Sequence, residues 1–395
     1  MLEGKHIVLG VTGSIAAYKT AILASMLRKK KADVTVIMTK NATNFINPIT
    51  FEELTGNKCL VDTFDRNFQH SVEHVSLAKQ TDVFMVAPAS ANVIAKAAHG
   101  IADDMLTTTL LACECPKLFA PAMNTRMYRN MVTQDNLRLL EHYHMEVITP
   151  ATGYLACGDT GEGKMPEPEL LLEYIIKALT PKDMAGIKVL VTAGPTMEKI
   201  DPVRFISNHS TGKMGYAVAR AAMLRGAEVT LVSGRTGLTP PINVDTVDVL
   251  SAADMAGAVK ERAGEADIIV KAAAVADYRP KHTADEKIKK KDDDMCIELE
   301  RTEDILGFLG EHKRKGQFLC GFSMETENME ENSRRKLQKK NLDLIVANNL
   351  KQAGAGFGTD TNVVTLLSKE DCVQLPMMSK EEVADRLLSY IMDRV

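Results

Sequence analysis

Residues 5–38 read KHIVLGVTGSIAAYKTAILASMLRKKKADVTVIM. An apolar run gives way to a glycine turn, then to apolar residues at helical spacing, a basic stretch at 28–31 and a second apolar run. Short apolar runs bounded by turn residues have the length of buried strands, and Lys and Arg gather where a helix ends. The order is that of a βαβ unit, whose parallel strands need helices on both faces of the sheet. Residues 187–232 repeat it, from IKVLVTAGP to STGKMGYAVARAAMLRGAEVTLV, with about 18 residues inserted between first strand and helix. More buried runs follow in each half: DVFMVAP (82–88), KLFAPA (117–122), DIIVKAAA (267–274) and DLIVAN (343–348). The expected fold is α/β, with a doubly wound parallel sheet in each of two domains; two divergent copies do not make a solenoid.

The segment GYLACGDTGEGKMPEP (153–168) holds four glycines and two prolines and is expected outside any core. A helix, PELLLEYIIKAL (168–179), and a polar linker, TPKDMAG (180–186), follow it, so the domains are expected at 1–180 and 181–395. Lys plus Arg number 48 against 52 Asp plus Glu, and a net charge of −4 excludes a global basic field for nucleic acid. With 45% apolar and 25% charged residues the chain is not disordered. No run approaches the roughly 20 apolar residues of a membrane span, and the lead MLEGK does not open a secretory signal. The seven scattered cysteines do not form a disulfide framework and point to a reducing cytoplasm. Neither CxxC nor HExxH occurs, so structural zinc is not expected.

In the first half the turn Gly10–Ser14 opens a helix, at the carboxyl end of a strand, where parallel sheets bind ligands. Gly13, Ser14, Thr39, Ser90 and Asn92 would ring that crevice with groups suited to a phosphate or a polyol. The turn is not GxGxxG, and alone it reads equally as a ligand site or a tight turn. His74, Asn124 and Cys157 each read singly as structural, although a thiol among glycines is not packing filler. The motifs GVTGSIAAYK, PASAN, PAMNTRM and ACGDTGEG, in this order, closely resemble the flavin-dependent cysteine decarboxylases over about residues 4–180. That resemblance implies a flavodoxin-like domain with FMN at Gly13, Ser14, Thr39, Ser90 and Asn92. It implies His74 as base, Asn124 holding the substrate carboxylate, and Cys157 as proton donor on a flap that excludes water. Oxidation at the sulfur-bearing carbon, loss of carbon dioxide and re-reduction then form a redox-neutral cycle. Two departures are Val93, where the family often has Thr, and Tyr128, where it has Trp; the chain has no Trp.

In the second half SNHSTGKMG (207–215) opens a helix without being a Walker A motif, and Asp277 follows a buried strand, where a carboxylate meets a ribose or Mg2+. Lys287, Lys289, Lys290 and Lys291 form one basic run, and Arg334, Arg335, Lys336, Lys339 and Lys340 another. Singly each is a solvated face; two runs flanking the strand ends of one sheet point to a polyphosphate site. The stretch TAGPTMEKIDPVRFISNHSTGKMG (192–215), with AAAVADYRP, EKIKK, GFSMET and KNLDLIVAN, closely resembles the phosphopantothenate–cysteine ligases over about 187–393. This implies a Rossmann-like α/β ligase domain that activates 4′-phosphopantothenate with CTP as an acyl-cytidylate, from which the amine of L-cysteine displaces CMP. The resemblance puts Asn208 at the acyl group and Lys287 at the phosphates. It puts Lys271, Ala272, Ala273, Asp277, Phe322, Lys336 and Lys340 around CTP, with Mg2+ at Asp277. Glu303, Asp304, Ile305 and Leu306 fall beside the base, where this chain departs from the family's proline-containing form.

The two families occur fused in this order in bacterial enzymes of coenzyme A biosynthesis. That implies a homo-oligomer, a dodecamer of flavin-domain trimers with shared sites and ligase-domain dimers. A decarboxylase acting on a peptide's terminal cysteine would lack residues 187–395. A regulatory flavin-binding subunit would not need His74, Asn124 and Cys157 together. A nicotinamide-dependent oxidoreductase follows from fold alone.

Overall fold

A computed structural model describes residues 2–64, 73–156, 158–290, 295–325, 329–349, 356 and 358–395. The chain forms two compact units, Met1–Thr180 and Pro181–Val395. Among the described residues no helix is long and apolar enough to cross a membrane.

The first unit is built on β1 (His6–Val11), β2 (Asp33–Met38), β3 (Val83–Ala89), β4 (Lys117–Pro121) and β5 (Glu146–Val147), ordered β2-β1-β3-β4-β5 and parallel throughout. All seven residues of β3 are buried, as expected for a strand covered on both faces. The helix Ala17–Lys29 turns Thr20, Leu23, Ala24 and Leu27 onto the sheet, the spacing read from the sequence. Val8, Phe84, Val86 and Phe119 pack against Ile94, Leu106 and Leu140 from the helices, each buried side chain stabilising by about 1.5–3 kcal/mol. Strand order reverses between β1 and β3, which opens a crevice at their carboxyl ends. The glycine-rich stretch folds as an antiparallel hairpin, β6 (Ala151–Tyr154) and β7 (Thr160–Lys164).

In the second unit β8 (Lys188–Ala193) is followed by a hairpin, β9 (Met197–Lys199) and β10 (Phe205–Ser207), which accounts for the insertion in the repeat. Next come β11 (Glu228–Ser233), β12 (Asp245–Asp248), β13 (Ile268–Lys271), a hairpin of β14 (Tyr278–Pro280) with β15 (Leu299–Arg301), β16 (Phe318–Glu325) and β17 (Leu344–Asn349). A short pair, β18 (Thr361–Asn362) and β21 (Met378–Ser379), flanks β19 (Val364–Ser368) and β20 (Cys372–Gln374). The main sheet runs β12-β11-β8-β13-β16-β17-β19-β20. Its first six strands are parallel, but β19 and β20 are antiparallel, where the sequence suggested a parallel sheet throughout. The connection 369–371 between them is too short for a crossover helix. The helix Lys213–Leu224 lies so close to β8 that a Cβ on Gly215 would come within 2.5 Å of the Ala193 Cβ.

Candidate functional site

The carboxyl edge of the first sheet carries two cavities that share Gly13, Ser90, Ala91 and Met127. One, of about 730 Å³, is lined by Thr39, Asn41, Asn92, Lys96, Asp103 and Asp104. The other, of about 500 Å³, is lined by Ser14, Lys19, Asn124, Tyr154, Lys164 and Met165. Buried Thr12 ties the two loops that meet here: its Oγ1 donates to Pro88 O at 2.7 Å and accepts from Ser90 N at 3.0 Å. Gly13 admits no side chain, since a Cβ would stand 2.8 Å from the Asn41 Cβ. The helix Ala17–Lys29 has no side-chain cap; Ala17 N donates to Ser14 O at 3.1 Å and Lys19 N to Ala16 O at 3.0 Å, in a tight turn at the crevice.

The hairpin β6–β7 closes over the second cavity. Met123 N donates to Gly163 O at 3.0 Å, and Thr125 Oγ1 to Glu162 O at 2.8 Å. Such close docking requires glycine: Gly163 has φ +116°, and a Cβ there would lie 2.3 Å from Met123 O. Asn124 caps the short helix Thr125–Tyr128 through Oδ1, accepting from Arg126 N at 2.8 Å, while its Nδ2 donates to Asp159 at 3.2 Å. Cys157, between β6 and β7 in the sequence, lies outside the described residues. His74 is half-buried on the helix Glu73–Gln80 and outside the linings of both cavities.

In the second unit a cavity of about 490 Å³ lies beyond β13 and β16, lined by Lys271, Ala273, Asp277, Phe322, Lys340 and the run Glu303–Leu306. The two walls meet through Thr302 N, which donates to Asp277 O at 3.0 Å, and Thr302 Oγ1, which donates to Ala276 O at 2.5 Å. Asp304 caps the helix Ile305–Glu311, accepting from Gly307 N and from Lys340 Nζ, each at 3.0 Å. Burial works to raise the Asp304 carboxyl, but the Gly307 N–H, Lys340 and Lys271 outweigh it and hold it below the usual range. Burial pushes the Lys271 ammonium down to about 8, helped by Lys340 and opposed by Asp304 and Asp277. Ala272, Asn208, Lys287 and Lys336 lie outside this lining; Asn208 and Lys287 are exposed, and Lys336 reaches Ser323 Oγ at 3.5 Å.

The family described as Flavoprotein matches residues 1–180, and the DNA/pantothenate metabolism flavoprotein C-terminal domain matches residues 184–395. The coenzyme A biosynthesis bifunctional protein CoaBC of Bacillus subtilis (strain 168) is 47% identical over 396 residues, 99% of this chain and 97% of that protein. CoaBC of Escherichia coli (strain K12) is 41% identical over 397 residues, 100% of this chain and 98% of that protein. The chain belongs to the CoaBC family. It is a bifunctional enzyme, a decarboxylase and a phosphopantothenate–cysteine ligase, serving two consecutive steps of coenzyme A biosynthesis. Among solved structures, the C-terminal domain of a CoaBC is 47% identical and covers 54% of this chain and 97% of that chain, with a TM-score of 0.47.

Several lining residues of this CoaBC chain were not singled out in the sequence. Lys19 is buried, its Nζ donating to Met165 O at 3.0 Å and to Glu167 Oε1 at 2.8 Å, partners 146 and 148 residues away. A lysine on an amphipathic helix reads as solvated, and nothing local announces such partners. Lys96 follows Asn92 by one turn and pairs with Asp103 at 2.7 Å. Here a signal existed, since i and i+4 share a helix face.

Proposed function

We propose that the ligase unit couples L-cysteine to 4′-phosphopantothenate through an acyl-cytidylate made from CTP, and that the first unit decarboxylates the product with FMN. The observation that carries this reading is the convergence of Lys271, Lys340, Asp277 and the run Glu303–Leu306 on one cavity beyond the parallel strands. Two ammonium groups suit a polyphosphate, and Asp277 would hold Mg2+ jointly with the phosphates, because Mg2+ takes few protein ligands beside a nucleotide. Ala273, Phe322 and the Glu303–Leu306 run would enclose the nucleoside, with Ala272 and Lys336 beside it. Lys287 would neutralise charge on the α-phosphate during attack, and Asn208 would hold the activated acyl group.

At the first crevice the donor set fits FMN: a helix N-terminus free of a side-chain cap, the hydroxyls of Ser14, Thr39 and Ser90, the Asn92 amide, and a glycine at 13 where a Cβ would collide. FMN, when bound, supplies reversible two-electron exchange with the cysteinyl side chain. Asn124 would hold the substrate carboxylate through its amide, and the docked hairpin would exclude water and bring the Cys157 thiol to donate the last proton. His74 would be the base. Its position outside both linings supports a site completed by a neighbouring subunit, as in trimers joined through ligase dimers into a dodecamer. The six described cysteines are free, which suits a reducing cytoplasm; the partners in this reading are small molecules, with no nucleic acid and no membrane.

One assay tests both halves: phosphopantothenate, cysteine and CTP, with pyrophosphate and carbon dioxide followed together. Release of both, with CTP preferred over ATP, is expected. Lys287→Gln should cut pyrophosphate release to a slow residual rate while supplied phosphopantothenoylcysteine is still decarboxylated. Cys157→Ser should stop at the oxidised enethiol. Full turnover by either variant refutes the role concerned.

A further inference from the structure

The basic segment carrying Lys287 has no regular secondary structure, and Lys287, Lys289 and Lys290 repel one another. Something must nevertheless set where it runs. It crosses the turn 200–204 between β9 and β10 at two points. At the first, Ala284 N donates to Ile200 O at 3.0 Å and Thr283 Oγ1 to Lys199 O at 3.3 Å. At the second, Ile288 N donates to Asp201 Oδ2 at 3.2 Å while Ile288 O accepts from Arg204 Nη2 at 3.0 Å. Asp285, Glu286 and Lys287 stand exposed between the two ties.

Asp201 is the centre of the second tie. Its side chain is buried, although Arg204 beside it is partly exposed. Oδ1 accepts from Val203 N and Arg204 N, both at 2.8 Å, and Oδ2 from Arg204 Nε at 2.9 Å and Nη2 at 2.5 Å. These donors, Arg204 foremost, hold the carboxyl well below the usual carboxylate range. With the Ile288 N–H, five donors converge on one carboxylate, and an amide at this position would turn its own NH2 against some of them. The same turn leads through β10 directly to Asn208.

We propose that Asp201 is a positioning residue of the ligase, which clamps the main chain at Ile288 and so fixes Lys287 relative to Asn208. The proposal rests on the reading of Lys287 as the lysine at the phosphates, and deepens it. A misplacement of about 1 Å costs on the order of 10²-fold in rate, so a loosened clamp should slow acyl-cytidylate formation by roughly that factor.

The test is a double-mutant cycle in the full chain, reading single-turnover pyrophosphate release from CTP and phosphopantothenate. Asp201→Asn should slow release roughly 10²-fold in the native background and within about 3-fold in the Lys287→Gln background, because only a correctly held lysine has anything to lose. Ile288→Pro removes the N–H bound by Asp201, leaves the Asp201–Arg204 pair in place and should slow release similarly; it carries the test should Asp201→Asn not fold. Decarboxylation of supplied phosphopantothenoylcysteine should be unchanged in each variant. Equal slowing by Asp201→Asn in both backgrounds, or a native rate for Ile288→Pro, overturns the proposal while the role of Lys287 stands. A native rate for Lys287→Gln alone overturns that role, and the proposal with it.

Discussion

Lys271 offers a direct measurement on the cavity proposed for CTP. It ends β13 as a residue 8% exposed, and burial, with Lys340 adding, brings its ammonium down to about 8 from 10.5. The free protein is therefore protonated there at pH 7 and mostly neutral at pH 9. A bound polyphosphate favours the charged form and returns the group toward its ordinary range, so binding takes up a proton. The sign follows: affinity is complete below pH 8 and is lost as pH rises through 8. The protonated fraction of the free protein falls from about nine-tenths at pH 7 to about one-tenth at pH 9. The apparent Kd for CTP should then rise about tenfold, or about 1.4 kcal/mol. The nucleotide contributes little, since phosphates have a second pKa near 6 and are about nine-tenths ionised at pH 7. Equilibrium binding of CTP at pH 7, 8 and 9, with the native chain and with Lys271→Met, checks this. The variant keeps an apolar stem of similar length without the titrating group, and should bind more weakly with a flat profile. A Kd for the native chain that changes less than about twofold across this window, or an equal rise in Lys271→Met, refutes the reasoning.

Three further perturbations separate the two units. Gly163→Ala places a Cβ 2.3 Å from Met123 O at a φ of +116°, a strain of about 1–3 kcal/mol; carbon dioxide release should fall sharply with pyrophosphate release intact. Thr12→Val keeps the shape but leaves Pro88 O and Ser90 N without their partner, costing about 1–3 kcal/mol and lowering flavin retention through gel filtration. Gly310→Ala puts a Cβ 1.9 Å from Lys340 O, so the helix Ile305–Glu311 must shift, at about 1–3 kcal/mol; the KM for CTP should rise while decarboxylation is unaffected.

Both sheets were legible because parallel strands are buried on both faces and show as unbroken apolar runs; VFMVAPA at β3 is the plainest. The antiparallel edge β19–β20 was not, since apolar runs carry no sign of direction and only the three-residue connection 369–371 decides it. At the sites, Gly13, Ser14, Thr39, Ser90, Asn92 and Asn124 line the first crevice because each lies within three residues of a strand's carboxyl end, and a strand end is a local property. His74 and Lys287 sit on a helix and a loop, where the sequence alone does not say which way they face.

Charge was the feature most easily misread, for a physical reason. The run 334–340 drew attention by its density, yet Arg334 and Arg335 pair with Glu330 and Glu331 one turn back, as a solvated helix face does. Lys271 drew none of its own, being a single charge closing the apolar strand IIVK. Desolvating an ammonium is expensive, so a lysine in a buried strand persists only where a ligand or a partner compensates it, whereas a surface lysine costs nothing and needs no reason. Asp201 follows the same logic, a buried carboxylate compensated by its guanidinium partner and main-chain N–H groups. Lys271 and Asp201 are therefore informative as isolated charges, set where burial makes them costly, whereas a run such as 334–340 yields single members, Lys340 among them, only when the fold is known.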